Sequence, residues 1–294
     1  MKTIVSVIIA FFLSASMSYA QKLSPQWEEL TSSDFALAVK QSEGVCVVPI
    51  GVLEKHGQQL PLGTDVFTSR ELCRRAAGKE YCLIYPFYFM GQIFEAQHQP
   101  GTVAYSSELQ LRLLDETCKE IARNGIKKII LVNGHGGNNA FLQYFCQIQL
   151  ATPHDYAVYA VITPSVSPEV EKKITEMRKT TTGGHADEVE SSSMLAVRPD
   201  LVKIERATLE SGSNQHRQHL PSNVFTGISW YAQYPNHYAG DAKDANKELG
   251  ELSIESRSQG LADIIKAVKA DQETLRLQND FYKESQSPLD TKVK

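Results

Sequence analysis

The sequence predicts an α/β protein, a three-layer α/β/α sandwich built on a mainly parallel sheet. Two observations carry this reading: apolar runs of strand length alternate with helical patterns over about 230 residues, and glycine-bearing turns follow several of the runs. No internal repeat, low-complexity block or linker interrupts the 294 residues, so one large domain is expected.

The chain opens with Lys2, the apolar run IVSVIIAFFL and the small-residue sequence SASMSYA. Residues 1–20 therefore read as a signal peptide cleaved after Ala20: the apolar core is too short to span a membrane, and Ser18, Tyr19 and Ala20 have the small-x-small form. An exported protein, periplasmic or secreted, is expected, with no membrane segment after signal removal, a folded domain over 21–275 and a C-terminal tail over 276–294, whose last residues, YKESQSPLDTKVK, read as frayed. SSDFALAVKQS then reads as a short helix and VCVVPIGV as a fully buried strand. After a polar loop, VFTSRELCRRAAG is helical, with Val66, Leu72 and Ala76 as core contacts and Gly78 as its stop. YCLIYPFYF reads as a second strand and runs into a long connection, GQIFEAQHQPGTVAYSS, of the kind that often carries function.

Ser107 and Gln110 form a capping box for LQLRLLDETCKEIARNG, whose apolar positions recur at helical spacing and whose end is marked by Gly125. KKIILVN is another buried strand, delivering the turn Asn133 to Asn139 and then the helix AFLQYFCQIQLA. YAVYAVI supplies a further strand, PEVEKKITEMRK a surface helix, and TTGGHADEVESSSMLAV a glycine-led loop entering a helix. Beyond Pro199 the pattern is less regular, with the aromatic cluster ISWYAQYPNHYAG and a helical stretch from about Asp241 to Asp271.

A net charge of −4 gives no electrostatic footprint for nucleic acid or an anionic membrane, so the expected partner is a small molecule. The five cysteines, Cys46, Cys73, Cys82, Cys118 and Cys146, lie at no metal-like spacing and read mostly as buried, inert thiols.

Three loops carry candidate chemistry. The first, GVLEKHGQQLPLGTD at 51–65, holds Glu54, His56 and Asp65. Glu54 and His56, two apart in an extended segment, point the same way, and Gly57, Pro61 and Gly63 let the loop turn back so that Asp65 joins them. The second loop holds His135; the third holds His185 and Glu190. Loops at the carboxyl ends of parallel strands converge on one edge of the sheet. Glu54, His56, Asp65, His135 and Glu190 then supply three carboxylates and two imidazoles, enough for two divalent ions bridged by Asp65. Such donors favour zinc, manganese or iron over calcium. A pair of this kind holds a hydroxide near neutrality and polarises the carbonyl it attacks.

His185 follows Gly183 and Gly184 and precedes Glu190 by five residues, which suits a proton carrier standing over the metals. A hydrogen-bonded loop histidine is the commoner case for any one alone, and His98, His154, His216, His219 and His237 are read that way. Gly134, Gly136 and Gly137 lack the order and the lysine of a phosphate-binding loop, and neither a GxSxG elbow nor a plausible cysteine nucleophile occurs.

Taken together, the loops resemble the creatininase (creatinine amidohydrolase) family. EKHGQQLPLGTD is similar to its E-x-H-G-x-x-L-P-x-x-x-D pattern, NGHGGNN to its N-G-H-G-G-N pattern, and HADEVESS to its H-A-x-x-x-E-[ST]-S pattern, with weaker agreement at QPGT and at GDAKDANKELG. The resemblance implies a creatininase-like three-layer fold and a metal-dependent hydrolase of cyclic amides or related C–N bonds, with two ions, zinc or manganese among them. It further implies that Glu54, Asp65 and His135 hold one ion, that His56, Asp65 and Glu190 hold the other, and that His185 is the catalytic acid or base. A homo-oligomer, a hexamer by the resemblance, is also implied.

The chain departs from the creatinine-hydrolysing pattern in three places. Gly137 stands where a glutamate is found, Thr181 and Thr182 stand where a Trp-Asp pair is found, and Gln58 and Gln59 replace a common Pro-His. These changes argue against creatinine itself as the substrate, and Gln58 and Gln59 are expected near the metals. The function expected is a binuclear amidohydrolase acting on a small cyclic amide or amide-like substrate. The alternatives are a peptide-trimming or deformylating hydrolase on the same site, and a non-catalytic exported metal-binding protein.

Overall fold

The computed structural model describes residues 23–221 and 223–291, so the expected signal peptide lies outside the described residues. Strands β1 (Val45–Ile50), β2 (Leu83–Ile84), β3 (Lys128–Asn133) and β4 (Ala157–Val161) pair in parallel in the order β2-β1-β3-β4. The helices are α1 (Ser32–Gln41), α2 (Thr64–Lys79), α3 (Ser107–Arg123), α4 (Asn138–Ile148), α5 (Pro168–Met177), α6 (Glu188–Val197), α7 (Ser229–Gln233), α8 (Lys247–Ala270) and α9 (Glu273–Ser285). Parallel neighbours need crossovers, and α2, α3 and α4 provide them.

Every residue of β1 is buried, because successive side chains enter different layers. Cys46, Val48 and Ile50 pack with Leu114, Cys118 and Ile121 of α3 and with Leu142 and Phe145 of α4. Val45 and Val47 pack with Leu72, Cys73 and Ala76 of α2 and with Leu261, Ile265 and Val268 of α8. This is the three-layer α/β sandwich that the alternation predicts. All five cysteines are free, and burial pushes the Cys46 and Cys73 thiols well up, as inert core residues require. No helix among the described residues is long and apolar enough to cross a membrane.

The strand order fixes where a ligand can approach. From β1 the chain moves outward to β2, and from β3 it moves outward to β4, in the opposite direction. A crevice therefore opens beyond the carboxyl ends of β1 and β3. Ile50 lies opposite Asn133, so the loops that begin at Gly51 and Gly134 leave the sheet side by side.

Several expected boundaries move. The run YCLIYPFYF forms only a two-residue strand; Pro86 has no N–H for a ladder, and Tyr88 instead offers its carbonyl to Gly51 N–H at 3.0 Å. Helix α2 begins at Thr64 and contains both Asp65 and Gly78, so Asp65 occupies the first turn, where a carboxylate is favoured by the helix dipole. Ser106 caps α3 in place of Ser107, with its hydroxyl accepting from Leu109 N–H. The expected tail from 276 is largely helix: α9 extends to Ser285, and the buried Tyr282 donates its hydroxyl to the Gln149 carbonyl at 2.8 Å.

Candidate metal centre

Close packing of backbone brings the three loops together. A Cβ on Gly51 would stand 2.6 Å from the Val66 nitrogen, and one on Gly134 would stand 2.8 Å from Ser69 Cβ and 2.9 Å from the Asp65 carbonyl oxygen. Only glycine lets the ends of β1 and β3 close onto the start of α2. The first loop is then drawn back on itself by a bond from Glu54 N–H to the Leu62 carbonyl, 3.1 Å.

Glu54, His56, Asp65 and His135 are all buried, and Asp65 is their hub. Asp65 Oδ1 lies 3.0 Å from His56 Nε2, while Oδ2 lies 3.3 Å from His135 Nδ1. Glu54 Oε1 is 2.7 Å from the same His135 nitrogen, and Glu190 Oε1 is 3.9 Å from His56 Nε2. Among the described residues three groups could each hold an ion: Glu54, Asp65 and His135; His56, His185 and Glu190; Glu54, His185 and His237. All six residues expected from the sequence thus meet at one place. Position puts His185 within ligand reach of His56 and Glu190, closer than a group standing apart from the metals.

Local hydrogen bonds orient these donors. His56 Nδ1–H points at the Glu54 carbonyl, 3.2 Å away, which leaves Nε2 facing Asp65 and Glu190. His185 Nε2–H donates to the Lys55 carbonyl at 2.7 Å. Glu190 accepts from Ala186 N–H, and Asp187 caps the helix that carries Glu190. Buried Glu188 accepts from Lys179 and Thr180, pinning the approach to the glycine-led loop.

The electrostatics are those of a cation site. Burial would lower the His56 pKa, but Asp65, Glu190 and Glu54 together hold it up to about 10. His135 is likewise held well above the usual histidine range against burial, by Glu54 and Asp65. Burial would raise the Glu54 carboxyl, yet the imidazoles of His135, His185 and His237 hold it well down. Loss of solvent, then Asp65 and Asp187, pushes Glu190 up to about 7. His185 moves the other way, down to about 3, because burial and the neighbouring His56 and His237 disfavour its cation. Glu54 Oε1 and Asp65 Oδ2 have no hydrogen-bond partner although both are buried. Orphaned carboxylate oxygens converging with imidazole nitrogens fit a divalent transition metal.

His237, expected to be an ordinary loop histidine, is part of this cluster. Trp230 Nε1–H donates to its Nδ1 at 2.9 Å, so the ring proton is on Nε2, which meets Glu54 Oε2. An antiparallel bridge between His185 and Ala239 brings this segment in. The sequence signal was faint: the histidine closes the aromatic cluster just before GDAKDANKELG. His98 lines the adjoining cavity, whereas His154, His216 and His219 do not.

Gln59, expected near the metals, is a brace. Its side-chain amide donates to the Ala186 carbonyl at 2.8 Å, joining the first loop to the third, and its backbone carbonyl accepts from Lys203 N–H; Gln58 is exposed, and neither lines the two cavities described below.

The centre opens into a cavity of about 910 Å³. Glu54, His135 and His185 form part of its lining, and Phe94, Trp230, Tyr231 and Phe225 give it an aromatic side. A second cavity, of about 630 Å³ and containing Arg178 and Arg257, reaches His135 and Glu190 from the α5 side.

Comparison with known proteins identifies relatives of this chain. The creatinine amidohydrolase of Pseudomonas putida is 26% identical over 251 residues, 81% of this chain and 95% of that protein. The 3-dehydro-scyllo-inosose hydrolase of Thermotoga maritima is 24% identical, covering 82% of this chain and 83% of its own. A mycofactocin precursor peptide peptidase of Mycobacterium tuberculosis is 27% identical over 54% of this chain and 61% of its own. Among solved structures, a creatinine amidohydrolase superposes with a TM-score of 0.69 at 26% identity over 83% of this chain and 97% of that one. A manganese creatininase gives 0.68 at 25% identity over 83% and 98%, and a zinc–zinc form of a mutant creatininase gives 0.68 at 24% over the same shares. The creatininase family model, described as creatinine amidohydrolase, matches residues 28–265, and with that extent the chain belongs to the creatininase family.

Proposed function

We propose that this protein is a metal-dependent amidohydrolase that cleaves the C–N bond of a cyclic amide or amide-like substrate. The observation that carries the reading is Asp65, whose two oxygens each face an imidazole, with further carboxylates behind them. Glu54, Asp65 and His135 would hold one divalent ion, and His56, Asp65 and Glu190 the other, with zinc or manganese suited to both. Bound there, the ions supply Lewis acidity for the substrate carbonyl and a water acidified towards neutrality.

The chain's own residues do the remaining work. His237 Nε2–H orients Glu54, and the Glu54 carbonyl orients His56. His185, with Nε2–H committed to the Lys55 carbonyl at 2.7 Å, would present Nδ1 to the attacking water and pass its proton to the leaving nitrogen. Phe94, Trp230 and Tyr231 line the cavity beside these groups.

The size and apolar side of the cavity favour a second reading, in which the scissile bond belongs to a peptide. Its support among relatives is the peptide peptidase. Export, supported by the leader-like residues 1–20, and a homo-oligomeric assembly, supported by the family resemblance, complete the proposal.

The test combines metal analysis with a screen of lactams, formamides and short peptides. His56→Ala or Glu190→Ala should remove one equivalent of metal and abolish turnover. His185→Asn should retain metal and lower turnover by roughly 10²- to 10⁴-fold. Full turnover in either ligand variant refutes the site, and no turnover of any C–N substrate by the metal-loaded protein refutes the enzyme.

A further inference from the structure

The second loop approaches the metal centre with a glycine at 137, and the space above that glycine is taken. A Cβ there would stand 2.6 Å from Glu95 Oε1 and 2.9 Å from Gln92 Nε2, and closer still to His135 Nε2. Glu95 and Gln92 come from the connection after β2, far from the second loop in sequence. They are held there firmly: Gln92 N–H donates to the buried Asn138 side chain at 2.8 Å, and the Gln92 amide reaches the Gly137 carbonyl at 3.3 Å and Glu95 Oε1 at 3.4 Å. The Gln92 carbonyl in turn accepts from Phe94 N–H at 2.7 Å.

His135 presents Nδ1 to Glu54 and Asp65 and turns Nε2 the other way. That Nε2 is buried and has no hydrogen-bond partner, and the facing acceptor is Glu95 Oε1 at 3.8 Å. A small turn of the Glu95 side chain, which borders the cavity, brings the two to hydrogen-bond length. An imidazole that binds metal through one nitrogen commonly donates its other N–H to a carboxylate, which fixes the ring and raises its basicity.

We infer that Glu95 is a positioning residue of the metal centre, a carboxylate delivered over Gly137 to accept the Nε2 proton of His135 and aim Nδ1 at the ion. The inference rests on the reading of His135 as a ligand. A side chain at 137 would press first on the His135 ring and then on this carboxylate, so glycine leaves room for both.

The experiment measures Mn²⁺ affinity of the full chain by chelator competition. Glu95→Gln should weaken one of the two equivalents about 10- to 100-fold, with Glu95→Asp recovering part of the loss. Unchanged thermal stability in Glu95→Gln separates this role from a structural one, and weaker binding only in step with lost stability would overturn the inference. His135→Ala is the control. If it leaves both equivalents bound, the ligand reading itself fails. If it removes one while Glu95→Gln binds as tightly as the wild type, Glu95 alone is refuted.

Discussion

Asp65 and the two imidazoles on either side of it define the residue scale of this protein, because protons and metal ions compete there for the same lone pairs. In the metal-free protein His56 is held up to about 10 and His135 well above its usual range. His56 is therefore a cation at neutral pH and His135 is biased the same way, so an entering ion competes with protons for their lone pairs. The sign follows: affinity rises with pH while His56 remains protonated and levels off near 10. Calorimetric titration with Mn²⁺ at about pH 8, in buffers of different ionisation enthalpy, should report a net release of roughly one to two protons per protein. An enthalpy independent of the buffer would mean that the imidazoles are already neutral, and this account of the centre would fall.

At the scale of elements, the centre depends on three backbone segments touching: the end of β1, the start of α2 and the end of β3. A Cβ on Gly134 would press on Ser69, on the Asp65 carbonyl and on the Ile50 carbonyl at 2.8, 2.9 and 3.1 Å. Gly134→Ala must lift the second loop off α2, moving His135 away from Asp65. It is expected to lower stability by about 1–3 kcal/mol and Mn²⁺ affinity by more than about tenfold. Gly136→Ala is the matched control, since a Cβ there meets nothing within 4 Å. Equal effects of the two changes, read by thermal melts and metal titration, would show that close packing is not what sets the distance.

The same contrast explains what was legible in the sequence. Strands β1 and β3 announce themselves because both faces are buried and the apolar run is continuous; the first two candidate loops leave those strands, and the third enters α6. Glu95 and His237 arrive from irregular stretches, where no period shows which way a side chain points. Their roles depend on the two-residue bridge at His185 and Ala239 and on the amide of Gln92, neither of which leaves a pattern. Helix α9 was hidden because only Tyr282 along it is buried. Gln59 misled for the opposite reason: it stands in the right loop but turns inward to brace Ala186.

For the whole molecule, the consequence is a linkage between metal and folding. The groups that would hold the ions come from residues 54–65, 135 and 185–190, with His237 from near the carboxyl end, so the unfolded chain has no comparable site. Binding free energy then adds to folding free energy almost in full. Mn²⁺ at about 100 times its dissociation constant should stabilise the protein by about 2.7 kcal/mol. At the size of this domain that is a rise in Tm of about 5–10 °C. Asp65→Ala removes the carboxylate whose two oxygens face His56 and His135, so its melting temperature should not respond to Mn²⁺ at the same concentration. A variant that still gained the full shift would place the ions elsewhere in the fold, and the convergence of loops on Asp65 would then need another explanation.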